Sequence, residues 1–120
     1  MTNNNELGKE GEELAKNFLI NLNYSIIETN WHFGHLEIDI IAENPSTIIF
    51  CEVKTRSSDK LGSPETSVTL QKQRNIIKAA NHFVLKNGIN KEVRFDIISI
   101  VQKKNGPAIQ HIPDAYTPRW

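Results

Sequence analysis

The run Leu36-Glu37-Ile38-Asp39-Ile40-Ile41, then Asn44-Pro45-Ser46, then Thr47-Ile48-Ile49-Phe50-Cys51-Glu52-Val53-Lys54 decides the fold. Two β-rich runs on either side of an Asn-Pro turn read as antiparallel neighbours. Successive side chains of a strand point to opposite faces, so Glu52 and Lys54 project together, as do Glu37 and Asp39. If the two faces coincide, three carboxylates and an ammonium share one patch. Asp39 and Glu52 interrupt apolar runs, where an ionised group is costly unless it is paired or bound to a cation.

Upstream, Leu7, Gly11, Leu14, Ala15, Phe18 and Leu22 form one stripe of a 3.6-residue period. This predicts a helix from about Asn5, a good capping residue. Glu12 falls at the edge of the buried face and Glu13 on the opposite side. After a break at Leu22-Asn23-Tyr24, Ser25–Thr29 reads as a strand. Downstream, Ser57–Pro64 reads as a polar loop with Gly62 and Pro64. A second helix is predicted over Thr66 to Leu85, with Val68, Ile76, Ala79, Ala80 and Phe83 inward and Lys72, Arg74 and Lys78 on a basic side. Glu92–Val101 is a further strand, and Asn105-Gly106-Pro107 turns into a short last one, Ile109–Ile112. The order αβββαββ predicts an α/β fold, a mixed sheet flanked by helices, with residues 1–120 as one domain.

The 120 residues carry no net formal charge, but the two ends differ. Residues 1–52 set two lysines against nine carboxylates, a net −7, and the remainder carries +7. An acidic pocket beside a basic rim that attracts a polyanion would explain this division, and so would a scattered surface with no field. Cys51 is the only cysteine, so no disulfide forms within the chain; in its apolar run it reads as a buried thiol of a cytosolic protein. The first residues lack the basic and apolar regions of a signal peptide, and no apolar run approaches the ~20 residues of a membrane helix. A cytoplasmic protein with no membrane role is expected.

A hard divalent ion such as Mg²⁺ suits a carboxylate set of this kind, using one or two carboxylates plus waters and substrate phosphate. The Val53 carbonyl could add a ligand from the same strand. Lys54 beside such an ion fits phosphodiester cleavage, positioning the nucleophile or neutralising the phosphate. A plain salt-bridge set, Asp39 or Glu52 with Lys54, fits the same spacing.

Four blocks in order resemble the YraN-type family of small bacterial predicted endonucleases, within the PD-(D/E)XK restriction-endonuclease-like superfamily. They are Gly8-Lys9-Glu10-Gly11-Glu12-Glu13-Leu14-Ala15, Glu37-Ile38-Asp39-Ile40-Ile41-Ala42, Phe50-Cys51-Glu52-Val53-Lys54-Thr55-Arg56 and Arg94-Phe95-Asp96-Ile97-Ile98. Leu61-Gly62-Ser63-Pro64 and Lys72…Ala79 also fit, so the resemblance runs from about residue 7 to 117. The family pattern has Gly-Glu-Ile-Asp; here Leu36 precedes Glu37, and Gly34 stands two positions earlier.

The resemblance implies a restriction-endonuclease-like fold and metal-dependent hydrolysis of DNA, branched or single-stranded DNA included, with Mg²⁺ or Mn²⁺ as cofactor. Asp39 and Glu52 would be metal ligands with the Val53 carbonyl, and Lys54 the catalytic lysine. Glu12 would help to hold the metal or a water near it, as in the archaeal Holliday-junction resolvases to which the family is similar. Glu37 shares the Asp39 face or pairs with a base such as Arg56. Many members of the superfamily cut as homodimers, which leaves self-association open. Arg56, Lys60, Lys72, Arg74 and Lys78 are the candidate phosphate contacts, each of which would make binding salt dependent. Gln71, like Lys72, lies where this superfamily often places a polar helix residue, or simply faces solvent. The segment Trp31-His32-Phe33-Gly34-His35 reads as a loop, its aromatics either stacking on unpaired bases or folding into the core edge. Asp96 reads as structural, and His82 and His111 receive no role. The rival to an enzyme is a non-catalytic nucleic-acid-binding module that retains the fold.

Overall fold

The computed structural model describes residues 4–57 and 68–118. Helix α1 (Asn4–Asn21) leads into strands β1 (Ser25–Phe33), β2 (Leu36–Glu43) and β3 (Thr47–Arg56); α2 (Leu70–Lys86) is followed by β4 (Glu92–Lys103) and β5 (Gly106–Tyr116). The strands form one sheet in the order β1-β2-β3-β4-β5, in which β3 and β4 run parallel and all other neighbours antiparallel. The α/β class and the element order αβββαββ are as expected from the sequence.

The helices cover opposite faces. Ile76, Ala79, Ala80 and Phe83 of α2 pack with Ile41, Ile48, Phe50, Phe95 and Ile97, whereas Ala15 and Leu19 of α1 pack with Ile40, Ala42, Ile49, Cys51, Ile98 and Ile100. This explains the sequence of the central strands. Parallel strands buried on both faces need continuous apolar runs, and Thr47 through Glu52 and Phe95 through Val101 are buried without interruption. The edge strands β1 and β5 are largely exposed. The Asn-Pro turn forms as expected: the Asn44 side chain accepts from the backbone N–H groups of Ser46 (3.0 Å) and Thr47 (2.8 Å).

Several boundaries differ from the expectation. Strand β1 continues to Phe33, so Trp31-His32-Phe33 is strand rather than loop, and only Gly34 and His35 turn. Trp31 and Phe33 pack against the core edge, Trp31 edge-on to Phe83 and Phe33 stacked on His82 at 4.2 Å. Gly34 takes a φ of 62°, the left-handed backbone that a glycine gives the hairpin turn at no steric cost. Helix α2 begins at Leu70, capped by Thr69, whose hydroxyl accepts from the Lys72 N–H; Val68 is buried ahead of the helix. The expected first helical residues, Thr66 and Ser67, lie outside the described residues, as does most of the expected loop. Strand β5 extends well beyond Ile109–Ile112 at both ends, because pairing with β4 recruits residues of low strand propensity such as Pro107.

Helix α1 sits close to β3. A Cβ on Gly11 would stand 1.9 Å from the Thr55 hydroxyl oxygen and 3.0 Å from the Thr55 Cβ, so only glycine permits this approach. Around Gly8, one helical turn earlier, nothing lies within 4 Å. Urea denaturation should separate the two: Gly11→Ala loses about 1–3 kcal/mol through forced repacking, whereas Gly8→Ala gains up to about 1 kcal/mol from helix propensity.

Candidate active site

Strands β2 and β3 pair only between Ile40–Glu43 and Ile48–Cys51. The next two rungs would set Asp39 against Glu52 and Ile38 against Val53, but the strands part there. The Val53 N–H instead donates to the Asp39 carboxylate at 2.8 Å, a side chain standing in for a missing backbone partner. In extended backbone the N–H and C=O of one residue point to the same edge, so the Val53 carbonyl also faces the gap. In β1, on the other side of β2, Asn30 takes a left-handed φ of 51°, and its side chain donates to Glu12 at 3.1 Å.

The gap opens into a cleft of about 780 Å³ bounded by the start of α1, the β1–β2 hairpin tip, the end of β3 and the first turn of α2. Glu12, Glu37, Asp39, Glu52, Val53, Lys54, Gln71 and Lys72 all line it. Glu12 is half-buried, while Glu13 is exposed and paired with Lys16 at 3.0 Å, as the helical stripe predicts. Glu52 is 6% exposed, and its Oε1 receives the Lys72 ammonium at 2.5 Å and the Lys54 ammonium at 3.7 Å. Among the described residues, the Asp39 carboxylate accepts one hydrogen bond, from the Val53 N–H. Burial first, then the charges of Glu52, Glu12 and Glu37, push its carboxyl up to about 7, against the opposing pull of that N–H. Lys54 is lowered by burial and by Lys72 beside it. Burial opposes the charge of Lys72 too, but the Glu52 contact outweighs it and Lys72 is raised.

The donor set fits a hard divalent ion: carboxylate and carbonyl oxygens around a spot where a buried acid is held up by surplus negative charge. Among the described residues no three His, Cys, Asp or Glu side chains converge as a closed metal cage. An ion here would take one or two carboxylates and keep waters, as Mg²⁺ commonly does.

The pattern of the uncharacterised protein family UPF0102 matches residues 11–100. The chain belongs to this family. A UPF0102 protein of Phocaeicola vulgatus is 46% identical over 121 residues, covering all of both chains. One from Christiangramia forsetii is 45% identical over 116 residues, covering 97% of this chain and 98% of its own.

For this UPF0102 chain the structure brings together Glu12, Asp39, Glu52, the Val53 backbone, Lys54 and Lys72, and separates the rest of the basic set. Arg74 and Lys78 face a second groove of about 700 Å³, between α2 and the end of β5, with Asn81 and Thr117. The helix explains the division, since Lys72 and Arg74 are two residues apart and point about 200° from one another. Arg56 is half-buried near the end of β3, and Lys60 lies outside the described residues. Sequence reading missed the network around Asp96. This fully buried acid accepts from Arg94 Nε and Nη2 at 2.8 Å each and from the Asp114 N–H at 3.1 Å, and contacts His111 at 2.7 Å. Burial opposes its charge, but the His111 and Arg94 contacts prevail and its carboxyl is lowered. The structural reading of Asp96 holds, and His111 has a partner that lies 15 residues away in the chain.

Asp39 has a sign-defined consequence. Its folded carboxyl is pushed up to about 7 from the ordinary aspartate value of 3.8, so between these pH values the folded chain alone holds the proton. Stability attributable to Asp39 therefore falls as pH rises from about 4 to 7 and is level above that, with a slope of at most about 1.4 kcal/mol per pH unit. Denaturation across pH 4–8 should show Asp39→Asn gaining on the parent as pH rises; parallel curves would contradict this assignment.

Proposed function

We propose that this protein is a metal-dependent nuclease of the PD-(D/E)XK kind that hydrolyses DNA phosphodiester bonds. The observation that carries the reading is the meeting of Asp39, Glu52 and Lys54 in one cleft, at the place where two strands part and free the Val53 carbonyl. The sequence resemblance assigns those same positions to metal and proton chemistry. Asp39, Glu52 and the Val53 carbonyl would hold Mg²⁺ or Mn²⁺, with Glu12 supporting a bound water. When bound, such an ion supplies Lewis acidity at the phosphate and a more acidic water.

This chain's own residues supply the rest. Lys54, already drawn toward its neutral form by burial and by Lys72, can take or return the proton of the attacking water, or neutralise charge growing on the phosphate. The first turn of α2, with Thr69, Gln71 and Lys72 along the cleft and no acidic residue, favours an anion at this end. Arg74 and Lys78 take a second stretch of backbone in the groove beyond α2, so the substrate reaches across the helix. A second copy of the chain is compatible with this reading.

One observation favours the rival, a nucleic-acid-binding module without catalysis: Glu52 is already satisfied by two ammonium groups. A screen over linear, nicked, flapped and four-way DNA with Mg²⁺ and Mn²⁺ distinguishes them. The nuclease reading expects cleavage that falls at least ~10²-fold in Lys54→Ala and in Asp39→Ala, both folded by circular dichroism. Undiminished cleavage in both removes the mechanism; salt-sensitive binding indifferent to metal, without cleavage, leaves the module. Replacing Arg74 and Lys78 with alanine should weaken binding alike for all sequences and flatten the salt dependence by about 1 log unit per residue.

A further inference from the structure

Both cations of the cleft are held by one carboxylate. Glu52 Oε1 takes Lys72 at 2.5 Å and Lys54 at 3.7 Å, while Asp39, across the gap, meets only a backbone N–H among the described residues. The two lysines are not equivalent. Lys54 shares strand and face with Glu52 and stays in the cleft whatever Glu52 binds. Lys72 reaches in from the first turn of another element and is 39% exposed, so a rotation of its flexible stem carries the ammonium outward without moving the sheet.

Asp39 and Glu52 would hold a divalent ion together, and the Lys72 ammonium already sits on the Glu52 carboxylate, where two like charges on one small anion repel strongly. With the other carboxylates of the cleft facing the ion, a phosphate of the substrate is an anion that could receive the displaced ammonium. We propose that Lys72 and the divalent ion are mutually exclusive partners of Glu52, and that Lys72, once displaced, becomes a phosphate ligand of the nucleic acid. This rests on reading the cleft as a divalent-ion site and adds an order to it: ion and polyanion bind cooperatively, because each draws away what blocks the other.

The signature is a pair of opposite effects from one residue. A lysine that merely supports the cleft weakens both ligands when it is removed. Lys72→Gln should instead bind Mn²⁺ alone more tightly, by about 5-fold or more, in calorimetric titration without DNA. The same variant should bind a fluorescent DNA duplex in EDTA about 5-fold more weakly. Lys72→Arg, which keeps the charge, should stay near the parent in the Mn²⁺ titration, and matching thermal melts establish that each variant is folded. A parent that takes up no Mn²⁺ overturns the metal reading, and this inference with it. A parent that binds Mn²⁺ while Lys72→Gln binds it equally or less tightly overturns the exclusion alone. Tighter Mn²⁺ with unchanged DNA affinity overturns the transfer to phosphate.

Discussion

The site depends on the point where β2 and β3 stop pairing. A sheet satisfies its backbone by neighbour pairing, and a strand that loses its neighbour inside a folded chain must find another acceptor for each N–H. At Val53 that acceptor is the Asp39 carboxylate. One hydrogen bond thus does two things. It ends the β2–β3 ladder without leaving a donor unsatisfied, and it brings an acid that interrupts an apolar strand to the side of Glu52. The cleft is the space left by the parting strands, and its two closest walls are the helix ends on opposite faces of the sheet. Gly11 completes the arrangement, since only a residue without a Cβ lets α1 come near enough to β3 to bring Glu12 to the gap.

Much of this was legible in the sequence because it follows from periodicity. The helical stripe through Gly11 separated Glu12 from Glu13, and the period of two placed Glu52 with Lys54. The element order αβββαββ foretold a mixed sheet flanked by helices. What was hidden depends on pairing across the chain. Trp31-His32-Phe33 reads as loop by its glycine and histidines, yet β2 draws it into the ladder opposite Leu36, Glu37 and Ile38. The division of the α2 cations between two grooves needs the helix to be seated before it can be seen. No spacing rule joins His111 to Asp96, whose meeting is set by the β4–β5 register.

The sequence-level charge imbalance resolves in the same way. The acidic first part supplies Glu12, Glu37, Asp39 and Glu52 to one cleft, and the basic remainder supplies Lys54 and Lys72 to the same place. Unlike charges far apart in the chain are neighbours in the fold, so the zero net charge is partly a local balance. That balance is uneven, with the cations gathered on Glu52.

Asp96, fully buried, and Asp39, half-buried, show why a partner count separates scaffold from chemistry. Asp96 has four contacts, two of them from a guanidinium, and its carboxyl is lowered; such an acid is held in one ionisation state and one position. Among the described residues Asp39 has a single N–H and three acidic neighbours, and its carboxyl rises to about 7. A chain that needed Asp39 only to end a ladder would be better served by a neutral acceptor such as asparagine, which makes the same hydrogen bond without the charge. Retaining a carboxylate where it costs stability is understandable if something other than folding uses the charge, and a cation is the partner whose binding would repay that cost.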